Sequence, residues 1–180
     1  MDSPLAAQAV ASGRLTIALA GNPNAGKTTV FNMMTGARQH VANYPGVTVD
    51  LKEGSARLDN RTVKVVDLPG AYSLNAYSTE EIVTRNFIIE QLPDVVVNVV
   101  DASNLERNLY LTVQLMELGV PVVVALNMFD IVQRRGLTID TAKLSVLLGV
   151  PVVPTVASRD EGVDDLLKTA DALALAPQAA

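Results

Sequence analysis

The chain is 180 residues long with a formal net charge of −5 at pH 7, and this length fits one domain built around a single core. The acidic balance argues against a nucleic-acid-binding protein, because such proteins usually carry a basic stripe. The sequence has no cysteine, which excludes disulfides, a thiol nucleophile and a cysteine-based zinc site. Hydrophobic residues make up 49% of the chain and aromatic residues only 4%, so aliphatic side chains must fill the interior. That composition is typical of a parallel sheet buried on both faces.

The two ends of the chain carry weak structural signals. Residues 1–13 lack a basic start followed by a long apolar run, so we expect a flexible leader there rather than a signal peptide. Residues 176–180 end an alanine-rich stretch and are predicted to be a tail or the start of a linker. Since no window reaches about 18 uninterrupted apolar residues, we expect these 180 residues to be soluble.

Apolar, β-branched runs alternate with helical patterns along the chain. Strands are predicted at 14–20, 47–58, 61–67, 94–101, 121–127 and 151–156, and helices at 27–36, 79–92, 104–118, 140–148 and 163–175. This alternation predicts an α/β fold, with a mostly parallel six-stranded sheet and helices on both faces. Only Asp59 and Asn60 separate two of the strands, which is hairpin spacing and predicts one antiparallel strand.

The spacing of apolar residues also predicts which side of the third helix is buried. The predicted stripe consists of Leu105, Leu109, Thr112, Val113 and Met116.

A glycine-rich loop follows the first predicted strand and opens the first predicted helix. Residues 21–28 read Gly-Asn-Pro-Asn-Ala-Gly-Lys-Thr, which is the pattern and the context of a phosphate-binding loop. Backbone N–H groups of residues 24–29 would surround the phosphates, Lys27 would neutralise them, and Thr28 would ligate Mg²⁺. The alternative is a glycine-rich turn without a ligand.

Two further segments can complete a phosphate site. Asp67 ends a predicted strand and is followed by Leu-Pro-Gly, so its carboxylate lies at the sheet edge where open α/β folds bind ligands. We expect Asp67 to hold Mg²⁺ through water and Gly70 to offer its N–H to a γ phosphate. Thr48 is the most plausible second hydroxyl for Mg²⁺. Taken alone, the Asp67 segment can equally be a surface turn, and a threonine at a strand start is ordinary.

Asn127-Met128-Phe129-Asp130 follows the fifth predicted strand. The Asp130 carboxylate can accept both N1–H and the 2-amino group of guanine, which adenine does not present. The alternative is a helix N-cap, since aspartate is a favoured capping residue. After the last strand, a backbone N–H in the turn at 156–158 can bond guanine O6.

Taken together and in this order, the motifs resemble a translation-factor-type GTPase domain over residues 14–175. The segments at 21–28, 43–49, 67–74 and 127–130 narrow the resemblance to the cytoplasmic N-terminal GTPase domain of the bacterial ferrous iron transporter family FeoB. That resemblance implies the P-loop GTPase fold and slow GTP hydrolysis that regulates or drives ferrous iron uptake. It also implies a helical regulatory domain and an Fe²⁺-transporting membrane domain as partners, at the cytoplasmic face of the inner membrane, with a homo-oligomer possible and no nucleic acid.

The resemblance carries the nucleotide contacts of the family onto matching positions. They are Asn22, Pro23, Asn24, Ala25, Gly26, Lys27, Thr28, Thr29, Gly46, Val47, Thr48, Asp67, Gly70, Asn127, Met128, Asp130, Val156, Ala157 and Ser158. Thr28, Thr48 and Asp67 are the implied Mg²⁺ residues, and Asn24, Lys27, Thr48 and Gly70 the implied catalytic ones.

Three positions and the lack of an arginine in two segments bear on how tightly the nucleotide is held and how it is hydrolysed. Met128 stands where GTPases in general have lysine, so weaker GDP retention is expected. Ala157 replaces a serine that commonly stabilises the guanine turn. Ala71 replaces the glutamine that orients the attacking water in many GTPases, and no arginine lies within 21–28 or 41–48.

The resemblance suggests K⁺ as the missing cation, held by Asn24 and by the backbone carbonyls of residues 42–44. An amide oxygen is a suitable ligand for a hard cation. The alternative is that Asn24 only favours the turn after Pro23.

Two other functions stay open at this point. One is a soluble switch GTPase associated with the ribosome or with tRNA, which the acidic charge disfavours. The other is a module that binds GTP and reports it to a partner without hydrolysing it.

Overall fold

A computed structural model describes residues 15–176. The predicted leader at 1–13 and residues 177–180 of the predicted tail lie outside the described residues. The strands are β1 (Thr16–Gly21), β2 (Gln39–Asn43), β3 (Asp50–Leu58), β4 (Arg61–Asp67), β5 (Val95–Asp101), β6 (Val122–Asn127) and β7 (Val152–Pro154). The α-helices are α1 (Lys27–Thr35), α2 (Thr79–Gln91), α3 (Leu105–Glu117), α4 (Phe129–Arg134), α5 (Thr141–Leu148) and α6 (Val163–Leu175). Single 3₁₀ turns occupy Ala102–Asn104 and Ala157–Arg159.

All seven strands form one sheet in the order β2-β3-β4-β1-β5-β6-β7. β1 pairs in parallel with β4 and β5, and β5, β6 and β7 continue in parallel. β3 is antiparallel to both of its neighbours. The predicted fold class, with one antiparallel strand and a hairpin over Asp59 and Asn60, is therefore confirmed.

The predicted number of six strands is wrong, because β2 is a seventh. This strand lies at the sheet edge, and the side chains of Gln39, His40, Val41 and Asn43 are exposed. Without a buried face, its sequence shows no alternation of apolar and polar residues that would indicate a strand. α4 was also not predicted, since it has only six residues.

Helices cover both faces of the sheet. Ile17 and Leu19 of β1 face one layer, where residues of α1 and α6 pack, and Ala18 and Ala20 face the other, where residues of α2 and α3 pack. β5 is buried on both faces from Val95 to Val100, which explains its run of valines. Because β1 and β4 to β7 run in parallel, their carboxyl ends lie at one edge of the sheet. The sequence motifs follow the strands at that edge.

The predicted buried stripe of α3 is confirmed at Thr112 and wrong at Val113, while Leu105, Leu109 and Met116 are partly buried and pack against the core. Its buried residues are Asn108, Leu111, Thr112 and Leu115, whereas Val113 is exposed. Two polar residues on the buried side of the helix bond to β5: Asn98 Nδ2 donates to Thr112 Oγ1 at 2.6 Å, and the Asp101 N–H donates to Asn108 Oδ1 at 3.2 Å.

None of the helices within residues 15–176 combines the length and the apolarity needed to cross a bilayer.

Candidate functional site

The loop between β1 and α1 turns sharply around two residues with positive φ, Asn24 at 67° and Gly26 at 88°. The Ala25 N–H donates to the Asn22 carbonyl at 3.2 Å inside this turn. Gly26 precedes α1, and no side chain caps the helix there. The first N–H groups of α1 therefore stay available, which is the arrangement that favours an anion at a helix N-terminus.

Glycine is required at position 26 for two reasons. Its φ lies in the left-handed region, and a Cβ there would collide with the side-chain nitrogen of Asn127. The phosphate loop is thus packed directly against the loop that follows β6.

A cavity of about 370 Å³ opens over this loop. Its lining residues all come from the predicted phosphate site: Asn22, Pro23, Asn24, Gly26, Lys27, Thr28, Thr29 and Gly70. The structure therefore brings together the glycine-rich loop and the glycine that follows β4.

Lys27 and Thr28, which line the cavity, both contact Asp67 at the end of β4. Lys27 Nζ forms an ion pair with Asp67 Oδ1, and both residues are buried. The Thr28 hydroxyl lies 3.4 Å from Asp67 Oδ2. A hydroxyl and a carboxylate side by side are hard oxygen donors of the kind that Mg²⁺ prefers, so these residues fit that ion.

Gly70 lies against the phosphate loop. A Cβ placed on Gly70 would come within 3.2 Å of Pro23 Cγ, and its neighbours are tied to the fold on both sides. The Thr84 hydroxyl donates to the Pro69 carbonyl at 3.1 Å, and the Ala71 N–H donates to the Gly21 carbonyl at 3.0 Å. The backbone around Gly70 is thereby held beside the cavity.

Asn127 connects three loops at the other side of the phosphate loop. Its Nδ2 donates to the Ala25 carbonyl at 3.0 Å, while its Oδ1 accepts from the Thr155 hydroxyl at 3.2 Å and from the Ala157 N–H at 3.0 Å. The residue is buried. Asn127 thus holds the turn at 156–158 next to the phosphate loop, and Ala157 is buried in that turn.

Asp130 lies in the first turn of α4 and its carboxylate is held by two arginines. Asp130 Oδ2 is 2.7 Å from Arg134 and 3.5 Å from Arg159. Sequence reasoning missed both arginines. The spacing of four residues between Asp130 and Arg134 on a helix was a usable signal, whereas the contact with Arg159 depends on the folded turn. Met128 adopts a positive φ of 59° just before α4.

The segment that carries Gly46, Val47 and Thr48 does not line the phosphate cavity. It forms the tip of the β2–β3 hairpin, and Thr48 is exposed there. Tyr44 anchors this tip: its N–H donates to the Val49 carbonyl at 3.1 Å, and its hydroxyl bonds Glu90 Oε2 of α2 at 3.1 Å. Burial raises the pKa of the Tyr44 phenol, and the hydrogen bond to Glu90 and the negative charge of Glu90 raise it further.

Known proteins share this combination of fold and motifs. The family model described as ferrous iron transport protein B matches residues 15–170. The Fe(2+) transporter FeoB of Salmonella typhimurium is 53% identical over 157 residues, which cover 85% of this chain and 20% of that protein. The chain therefore spans about a fifth of the length of this relative.

Two solved structures are similar over most of the chain. A mutant of the S. thermophilus NFeoB protein bound to GDP has 52% sequence identity and a TM-score of 0.83, covering 87% of this chain and 61% of that one. The FeoB G-domain from Methanococcus jannaschii has 46% identity and a TM-score of 0.79, covering 89% of this chain and 97% of that one. The chain belongs to the ferrous iron transport protein B family and corresponds to the N-terminal G-domain of that family.

Proposed function

We propose that the chain binds GTP and hydrolyses it slowly to GDP and phosphate. The observation that carries this proposal is that one edge of the sheet holds a phosphate-type cavity lined by Lys27 and Thr28, both in contact with Asp67, and, on the same edge, the half-buried carboxylate of Asp130 in the first turn of α4. The GDP bound to the related S. thermophilus protein supports the same assignment.

Each phosphate-site residue has a distinct role in the proposed reaction. The Lys27 ammonium pairs with Asp67 in this structure, and bound phosphates offer it a second partner that neutralises their charge. Thr28 and Asp67 would hold Mg²⁺, which supplies positive charge to the phosphate oxygens when bound. Gly70 would donate its backbone N–H to the γ phosphate. Thr48 joins this set only after the hairpin tip has moved toward the cavity.

The part of the site formed by Asp130 and the turn at 156–158 binds the base and selects guanine. Asp130 would accept from N1–H and the 2-amino group of the base, and an N–H of the turn at 156–158 would donate to O6. Arg134 and Arg159 hold the Asp130 carboxylate in place next to this turn. The apolar Met128 side chain would lie along the nucleotide.

We further propose that K⁺ assists hydrolysis through Asn24. This residue lines the cavity with an exposed side chain and a positive φ, so its amide oxygen can reach a hard cation beside the phosphates. The carbonyls of residues 42–44 would complete the site. In this structure residues 42 and 43 pair with β3, so that contribution requires β2 to open.

In the full-length protein, residues 14–175 would form a GTPase domain at the cytoplasmic face of the bacterial inner membrane. The length of the relatives supports further domains in the same chain. We propose that a helical regulatory domain and an Fe²⁺-transporting membrane domain are those partners and that nucleotide state regulates or drives iron uptake. Association into a homo-oligomer is part of the same proposal.

The test is phosphate release from GTP by the purified chain in the presence of Mg²⁺, with and without a chelator. Thr28→Ala removes one Mg²⁺ ligand from an exposed position and should lower the rate at least about tenfold, whereas Thr138→Ala, on an exposed loop outside the motifs, should not. Binding of GDP without any release of phosphate from GTP would reduce the protein to a nucleotide-binding module.

A further inference from the structure

Helix α3 holds the 70–78 loop at two places. The Arg107 guanidinium lies over the Tyr72 ring, 4.6 Å from its centroid. Two turns further along, Gln114 Oε1 accepts from the Leu74 N–H at 2.8 Å and Gln114 Nε2 donates to Asn75 Oδ1 at 3.0 Å.

These contacts lie on one face of the helix. Positions seven residues apart are nearly eclipsed on an α-helix and about 10 Å apart along its axis. An extended segment from residue 72 to residue 75 spans about 10 Å as well. The loop therefore runs along α3 in the direction of the helix, with Tyr72 at its amino-terminal end.

The Arg107–Tyr72 pair lies close to the reacting groups. Both residues line a cavity of about 200 Å³ on the flank of the phosphate loop, together with Pro23 and Asn24. Tyr72 follows Gly70 by two residues, and the Ala71 side chain between them is a methyl group that cannot orient water. The position of the Gly70 N–H is then the main contribution of this loop to the reaction.

Arg107 is chemically suited to holding an aromatic ring. Its guanidinium is planar, carries a positive charge and stacks on aromatic faces. Among residues 15–176, no carboxylate lies within ion-pair distance of Arg107, so its charge is not already engaged by an acidic partner there.

We propose that Arg107 is a positioning residue for GTP hydrolysis. By holding the Tyr72 ring against α3, it adds a restraint to those of the Thr84–Pro69 and Ala71–Gly21 hydrogen bonds, so that the Gly70 N–H stays directed at the γ phosphate. This inference rests on the proposed GTPase function. It concerns the contact of the Gly70 N–H with the γ phosphate, which GDP lacks, so GDP binding should not depend on Arg107.

The experiment measures kcat for GTP and the dissociation constant of a fluorescent GDP. Arg107→Ala and Tyr72→Leu should each lower kcat about two- to fivefold, the range set by a cation–π contact at the surface, with GDP affinity unchanged. Tyr72→Phe keeps the ring and should keep the rate. The double variant should lose no more than either single variant, since both remove the same contact. Matched controls are Arg57→Ala, near the opposite edge of the sheet, and Tyr110→Leu, an exposed tyrosine on α3.

Three results would overturn the inference while leaving the proposed function intact: an unchanged kcat in Arg107→Ala, additive losses in the double variant, or an equal loss of GDP affinity, which indicates a general structural role. If the unmutated chain releases no phosphate from GTP, the inference and the proposed function both fail.

Discussion

Asn127 Nδ2 donates to the Ala25 carbonyl at 3.0 Å and so joins the end of β6 to the phosphate loop, 102 positions earlier in the chain. The same side chain bonds Thr155 and Ala157 through its oxygen. One buried amide thus sets the distance between the phosphate side and the base side of the site. Asn127 was predicted as a nucleotide contact, and in this structure its amide bonds other parts of the protein.

We predict that Asn127→Ala weakens both the fold and nucleotide binding. The change leaves buried hydrogen-bonding groups at Ala25, Thr155 and Ala157 unpaired, and such losses together cost about 3 kcal/mol. Urea denaturation measures the free energy of unfolding, and titration with fluorescent GDP measures affinity. Asn60→Ala, in the exposed turn between β3 and β4, is the control. An unfolding free energy and a GDP affinity both equal to those of the control would show that Asn127 is not the connecting residue.

We predict that K⁺ accelerates GTP hydrolysis relative to Na⁺ at equal ionic strength. A cation held by Asn24 beside the phosphates offsets the negative charge that develops in the transition state. Asn24→Ala should abolish the difference between the two salts while GDP binding survives, because the backbone N–H groups of the loop remain. Equal rates in K⁺ and Na⁺ for the unmutated chain would leave Asn24 as a residue that shapes the turn.

The segments at 37–50 and 70–78 should respond to the γ phosphate. β2 is an exposed edge strand, and Thr48 must leave the hairpin tip to reach Mg²⁺, so the ladder with β3 has to open in the GTP state. Hydrogen exchange should differ in both segments between GDP and a non-hydrolysable GTP analogue. The segment at 55–65, in the β3–β4 hairpin, is the internal control. Identical protection of 37–50 and 70–78 in the two states would contradict the switch.

The elements that the sequence predicted correctly are those in which the pattern of apolar residues within the element itself indicates a buried strand or helix. β5 carries six consecutive buried residues from Val95 to Val100, and α6 occupies 163–175 as predicted. The loop between β1 and α1 was recognisable because its turn needs a glycine at position 26, where φ is 88°.

The errors share a physical cause, since they depend on contacts distant in sequence. β2 is an exposed edge strand that pairs with β3, and the polar residue Asn108 of α3 is buried where it bonds to β5. A stripe of apolar residues cannot reveal a polar side chain that is buried because it is paired. The contact of Arg159 with Asp130 also could not be predicted, because it depends on the folded turn that carries Arg159.

Competition for the site by guanine and adenine nucleotides tests the central claim most directly. Fluorescent GDP is bound to the chain and displaced with GTP or with ATP. GTP should displace it at a concentration about 10- to 100-fold lower, since the charged contact of Asp130 with the base contributes about 1.5–3 kcal/mol. Asp130→Asn should shift the preference toward xanthine nucleotides, and Asp164→Asn, exposed in the first turn of α6, should not. Equal displacement by ATP and GTP would contradict the assignment of this chain as a guanine-nucleotide-binding domain.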